Sequence, residues 1–115
     1  MPAREIPHPL WPTFLADFGL RHFCWKATLE RKHSGGRCEL IADNGCFLEE
    51  LATGCVGGQR QIAIVLDSPF REYRTHVVSN PQRVRVAAAN QDSLEIDAAD
   101  GSTMIVRVRQ PDPRA

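Results

Sequence analysis

Residues 83–109 read RVRVAAANQDSLEIDAADGSTMIVRVR, and three short runs within this stretch alternate apolar with polar residues. Alternation at every second position is typical of a strand that buries one face and leaves the other in water. The runs 83–88, 93–97 and 103–109 are therefore predicted as three consecutive antiparallel strands. Turn-forming residues at 89–91 and 99–101 connect them.

The two turns also predict how these strands pair. A three-residue turn with Gly101 in the left-handed region joins the last two strands, and a turn at 89–91 joins the first two. On the apolar face the predicted partners are Ile96 with Met104, Leu94 with Val106, Val86 with Leu94 and Val84 with Ile96. On the polar face the same register predicts Arg85 opposite Glu95 and Arg83 opposite Asp97, so acidic side chains neutralise the arginines.

Upstream of this stretch the same reasoning predicts more strands, at 62–66 and 73–78. Asp43-Asn44-Gly45 is predicted as a hairpin turn between segments 38–42 and 46–52, because Asn-Gly readily adopts positive φ. The segment 46–52 is compatible with a strand or a helical turn. Residues 53–58 are predicted as a glycine-rich loop, and alternation from Phe23 to Glu30 predicts a further strand.

One stretch near the start has helical spacing. Trp11, Phe14, Leu15 and Phe18 fall at i, i+3, i+4 and i+7, which places them on one face of a helix. Gly19 is a natural end for this helix, and its apolar face is expected to dock on the sheet.

The fold class predicted from these patterns is α+β, a mostly antiparallel β-sheet or small barrel with one N-terminal amphipathic helix. The chain of 115 residues fits a single domain, 1–115. Within it we expect an extended segment at 1–8, the helix at 9–19, antiparallel strands over 22–109 and a frayed tail at 110–115.

Composition narrows the classes of partner. Lysine plus arginine and aspartate plus glutamate number 14 each, so the net charge gives no general attraction to nucleic acid, which is an unlikely partner. No run approaches the ~20 apolar residues that a membrane helix needs, and no signal-like segment occurs. We therefore expect a cytoplasmic protein without membrane association. Its four cysteines are then expected as free thiols, or as two disulfides if the protein is exported.

The cysteines are the first candidates for chemistry. Cys24, Cys38, Cys46 and Cys55 are separated by 13, 7 and 8 residues, whereas structural zinc sites usually take ligands in close pairs. We therefore predict no metal site and no cofactor, even with His22 and His33 nearby in sequence. Cys55 is the likeliest reactive thiol, because glycines surround it and Arg60 could stabilise a thiolate. No set of catalytic residues is predicted.

An arginine-bearing sheet face is the second candidate site. Alternation places Arg83 and Arg85 on the polar face of one predicted strand, and Arg107 and Arg109 on that of another. With Tyr73 as a stacking ring, these residues have the composition of a surface that binds a partner or single-stranded nucleic acid.

Scattered residues across the chain also resemble a known family. They are Ile6-Pro7, Trp11, Phe14-Leu15, Phe18, His22, Trp25, Thr75-His76, Val78, Pro81, Val84, Leu94, Ile96 and Asp100-Gly101. This pattern resembles a family of small bacterial proteins catalogued as a domain of unknown function. The resemblance implies a short N-terminal helix before a compact sheet or barrel, and a bacterial origin. It implies no catalytic residue.

Three functions remain open from sequence alone. The leading hypothesis is a small non-enzymatic binding or protein-interaction module that forms a homodimer through an edge strand or binds another protein. The first alternative is a thiol- or metal-dependent activity that uses Cys55 with Cys46 or Cys24. The second is nucleic-acid binding on the arginine-bearing face.

Overall fold

The computed structural model describes residues 4–68, 73–87 and 92–110. The elements are β1 (Arg4–Ile6), α1 (Trp11–Arg21), β2 (Lys26–Lys32), β3 (Cys38–Val56), β4 (Gln59–Asp67), β5 (Tyr73–Ser79), β6 (Pro81–Val86), β7 (Ser93–Ala98) and β8 (Thr103–Arg109), with a short 3-10 helix, His8–Leu10, before α1. All these strands belong to one antiparallel sheet in the order β1-β6-β7-β8-β2-β3-β4-β5. The predicted α+β fold, a mostly antiparallel sheet with one N-terminal helix, is confirmed. In the part of the chain described, no helix has the length and apolar character to cross a membrane.

The three C-terminal strands have the predicted register. All six predicted pairs occur, four on the apolar face and two on the polar face. Gly101 has a φ of 89°, as the three-residue turn at 99–101 requires. The predicted turn at 89–91, residue 88 and the tail beyond residue 110 lie outside the described residues.

The predicted hairpin turn at Asp43-Asn44-Gly45 is wrong, because β3 runs through it. β2 pairs with β3 on both sides of this segment, Ala27 with Cys46 and Leu29 with Ala42. The extra residues of β3 are therefore accommodated as a bulge, since the partner strand continues without a break. Segment 46–52 is accordingly strand and not a helical turn.

The true hairpin turn lies further along the chain, at Gly57-Gly58. These residues have φ values of 59° and 81° and join Val56 to its partner Gln59. Positive φ at both central residues is the geometry of a tight two-residue hairpin, which glycine adopts without strain. Most of the predicted loop at 53–58 is therefore strand.

The helix ends later than predicted, at Arg21, and Gly19 has a different role. A Cβ atom on Gly19 would lie 3.2 Å from the backbone nitrogen of Leu51, so glycine allows α1 to approach β3 closely. Leu15 and Phe18 are fully buried against the sheet, as expected of the apolar stripe. The strand predicted from Phe23 begins only at Lys26, because Cys24 turns the chain with a φ of 65°.

The sheet curls because the chain turns sharply at Asn80, which has a φ of 51°. Asn80 alone separates β5 from β6, although these strands lie at distant positions in the strand order. Its N–H donates to the carbonyl of Arg60 (3.1 Å), and its carbonyl accepts from the N–H of Ala99 (3.0 Å). The curled sheet surrounds the core, on which α1 packs with one face, but the sheet does not close, because β1 and β5 remain its two edges.

Candidate functional site

The predicted arginine-bearing face forms on the outer side of β6, β7 and β8, but acidic side chains pair with it. The guanidinium of Arg85 lies 2.7 Å from a carboxylate oxygen of Asp97 and 3.5 Å from one of Glu95. Arg107 forms an ion pair with Glu30. These pairs neutralise two of the four predicted arginines, Arg85 and Arg107, and so weaken the attraction of this face to nucleic acid.

The structure does not bring Tyr73 to these arginines. Tyr73 begins β5 at one edge of the sheet, and β2, β3 and β4 lie between it and the strand of Arg107 and Arg109. Arg83 and Arg85, on β6, are further away in the strand order. Among the described residues, no cation–π contact joins Tyr73 to any of these four arginines.

The cysteines are likewise separated. Cys55 follows Cys46 by nine positions on β3, and a strand advances about 3.3 Å per residue, so their thiols are far beyond contact. Cys24 lies near the Cys46 end, where its N–H donates to the carbonyl of Leu48 (2.9 Å). None of the four cysteines forms a disulfide. The described residues contain no group of three or more His, Cys, Asp or Glu side chains that could hold a metal ion.

Cys55 instead borders a groove that lies between the start of α1 and the β3–β4 hairpin. The groove has a volume of about 490 Å³. Cys55 is directly opposite Arg60 across the hairpin. The predicted stabilisation of a Cys55 thiolate by Arg60 requires the two residues to be neighbours in this way. We call this cavity the hairpin groove.

A chain of hydrogen bonds crosses one side of the hairpin groove. The Nη1 of Arg60 lies 3.2 Å from the Nδ1 of His8, and the Nε2 of His8 lies 2.9 Å from the carbonyl of Gln82. Because the guanidinium can only donate, Nδ1 accepts and Nε2 carries the proton. The ring of His8 also stacks at 4.1 Å on that of Trp11, which is buried and donates its Nε1–H to the carbonyl of Ile6.

The β5 side of the sheet is a second distinctive surface. On the outer face of β3, β4 and β5, the cross-strand rows are Phe47–Asp67–Tyr73, Glu50–Val65–Thr75 and Ala52–Ala63–Val77. Glu50 and Asp67 are the charged members of these rows. Tyr73 is 66% exposed and Val77 is 40% exposed. This face is thus mostly uncharged, in contrast with the charged face of β6–β8.

The curled sheet leaves a gap beside β5, and this gap contains a cavity that is smaller than the hairpin groove. It measures about 300 Å³ and lies between β5, the β7–β8 hairpin and the end of β2, where Arg31 borders it. The inward side of β5 carries His76. Partial burial, followed by the charges of Arg31 and Arg74, lowers the pKa of His76 below its usual 6.5.

No family model, curated protein or solved structure matches this chain.

Sequence reasoning missed two features of these surfaces. His8 and Arg60 are 52 positions apart, and no local pattern indicates that they meet. The free edge of β5 was missed because alternation predicts a strand without predicting its neighbours. A usable signal for the hairpin groove was the glycine pair beside Arg60, since a two-residue hairpin sets Cys55 opposite it.

Proposed function

We propose that this protein is a non-enzymatic interaction module that pairs with a second copy of itself through the free edge of β5. The observation that carries the proposal is that β5 pairs with β4 on one side and with no strand of the described residues on the other. An edge strand presents unpaired N–H and C=O groups, which are a template for another strand.

The two edges of the sheet support β5 and not β1 as the interface. Natural proteins protect their edges by keeping them short, charged, bulged or interrupted by proline. β1 has three residues, two of which are Arg4 and Glu5. β5 has seven residues, contains no proline, and has Arg74 as its one Lys, Arg, Asp or Glu residue. It therefore lacks the protection that β1 has.

The sequence of β5 also suits a second copy of itself. Antiparallel self-pairing centred on His76 sets Arg74 opposite Val78 and Thr75 opposite Val77, so no like charges meet. The two His76 rings face each other, and the lowered pKa of His76 favours their uncharged form. Such pairing is an isologous, two-fold interface, the commonest kind in homo-oligomers.

The test is a lysine placed on the interface edge. Val77→Lys puts a charge on the exposed face of β5, and we expect it to abolish dimer formation. Val56→Lys is the matched control, because it introduces the same charge at another exposed valine (64%). Val56 lies at the end of β3, away from the β5 edge. Sedimentation velocity at high micromolar concentration should report dimers for the wild type and Val56→Lys, and monomers for Val77→Lys.

Two outcomes of this experiment contradict the proposal. A wild-type protein that stays monomeric at high micromolar concentration removes self-pairing altogether. A Val77→Lys variant that dimerises as well as the wild type shows that the interface lies elsewhere.

A further inference from the structure

Arg60 differs from Arg85 and Arg107 in the side of the sheet that it occupies. Arg85 and Arg107 lie on the outer face and are paired with carboxylates. Arg60 lies instead on the inward row of β4, which continues through the buried Ile62 and Ile64. No carboxylate of the described residues forms an ion pair with it.

The surroundings of Arg60 in the hairpin groove are mostly apolar and contain no acidic side chain. The lining of the groove includes Pro9, Trp11, Pro12, Cys55, Arg60 and Pro81. Arg60 is the charged residue of this set, and prolines and a tryptophan supply flat apolar walls. Ligand sites of small molecules are typically 300–1,000 Å³, mostly apolar, with a few fixed polar groups. The groove has this composition and a suitable volume.

The hydrogen bonds of His8 orient Arg60 for such a ligand. Donation from Nη1 to His8 uses one of the five N–H groups of the guanidinium, and His8 is itself held by the carbonyl of Gln82. The remaining N–H groups are a fork that matches a carboxylate. These hydrogen bonds link Arg60 on β4 to His8, before α1, and through it to Gln82 on β6. Three separate parts of the fold therefore fix the position of the guanidinium.

We infer that the hairpin groove binds a small organic carboxylate with a flat apolar body, and that Arg60 is its counterion. The apolar body lies against the proline and tryptophan walls, and the carboxylate accepts from Arg60. Cys55 lies on the same inward side of the hairpin, opposite Arg60, so a bound ligand covers its thiol. This site does not depend on the pairing of β5.

The experiment uses 1-naphthoate and its uncharged isostere 1-naphthamide as probes. Titration of each probe into the wild-type protein, followed by NMR of the protein amides, should give at least tenfold tighter binding of the carboxylate. Arg60→Gln should remove this preference. Arg109→Gln is the matched control, because it removes an exposed arginine from the outer face of β8, and it should preserve the preference.

Alkylation of cysteines by iodoacetamide gives a second readout that needs no variant. Naphthoate should slow the alkylation of Cys55, whereas Cys24 and Cys38, which are also exposed, should react at an unchanged rate. Equal binding of the two probes, or no detectable binding of either, overturns the inference. So does protection of all three cysteines alike, or loss of the preference in Arg109→Gln.

Discussion

In the β7–β8 turn, the backbone conformation at residue 101 requires glycine. Its φ of 89° is disfavoured for residues with a Cβ, and a Cβ there would also lie 3.0 Å from the Cβ of Ser34. We expect Gly101→Ala to cost about 1–3 kcal/mol of the free energy of unfolding. Urea denaturation measures this change.

Gly35 provides the control for that substitution. A Cβ on Gly35 would meet nothing within 4 Å, and its φ lies outside the left-handed region. Gly35→Ala should therefore change the free energy of unfolding by no more than about 0.5 kcal/mol. Equal losses for the two variants would mean that neither the strain nor the contact with Ser34 exists.

His76 makes stability depend on pH with a definite sign. Burial, Arg31 and Arg74 lower its pKa in the folded protein, while the unfolded chain binds the proton at about the ordinary value of 6.5. Below pH 6.5 the unfolded state therefore binds more protons than the folded state, and stability falls as the pH decreases through the folded pKa. Above pH 6.5 the uncharged form of His76 prevails in both states, and its contribution to stability is fully retained.

Replacement of His76 isolates its contribution from that of the other three histidines. The free energy of unfolding of His76→Gln should decrease less than that of the wild type when the pH is lowered from about 7.5 to about 5. Urea titrations at several pH values measure both curves. Parallel curves would show that His76 titrates normally in the fold.

At the scale of elements, α1 is held by one face. Leu15 is fully buried between the helix and the sheet, whereas Leu20, on the same helix, is 77% exposed. Leu15→Ala should cost about 2–5 kcal/mol, because it leaves a cavity in the core. Leu20→Ala should change the free energy of unfolding by no more than about 0.5 kcal/mol. Thermal denaturation of both variants distinguishes them, and similar losses would contradict the observed docking of α1.

Elements with strong local signals were predictable from the sequence. The strands around Val84, Leu94 and Val106 and their register follow from alternation and from the turn at Gly101, because both depend only on nearby residues. The apolar face of α1 follows from helical spacing in the same way. These are also the parts of the fold where sequence and structure agree in detail.

Elements decided by distant partners were not predictable. Asn44-Gly45 favours a turn, but continuous pairing of β2 with both flanks of β3 absorbs the segment as a bulge. Gly19 stands where a helix could end, but the approach of β3 at Leu51 explains it instead. In both cases a tertiary contact outweighs a local preference, which for glycine inside a helix is about 1 kcal/mol.

At the scale of the whole molecule, the strand order decides which surfaces exist. The corner at Asn80 curls the sheet, leaves β5 at an edge and brings the strand after it, β6, beside the residues before α1. Cys55 and Arg60 were predictable as neighbours, whereas the contact of Arg60 with His8 and the free edge of β5 require the complete topology. The candidate site was therefore predictable only in part.

Amide hydrogen exchange of β5 at two protein concentrations tests the central claim most directly. Self-pairing predicts that amides of β5 exchange more slowly at high micromolar than at low micromolar concentration, because a second copy satisfies the outward N–H groups. Amides of β1, at the other edge, should exchange equally at both concentrations. Exchange of β5 that does not change with concentration would contradict the account.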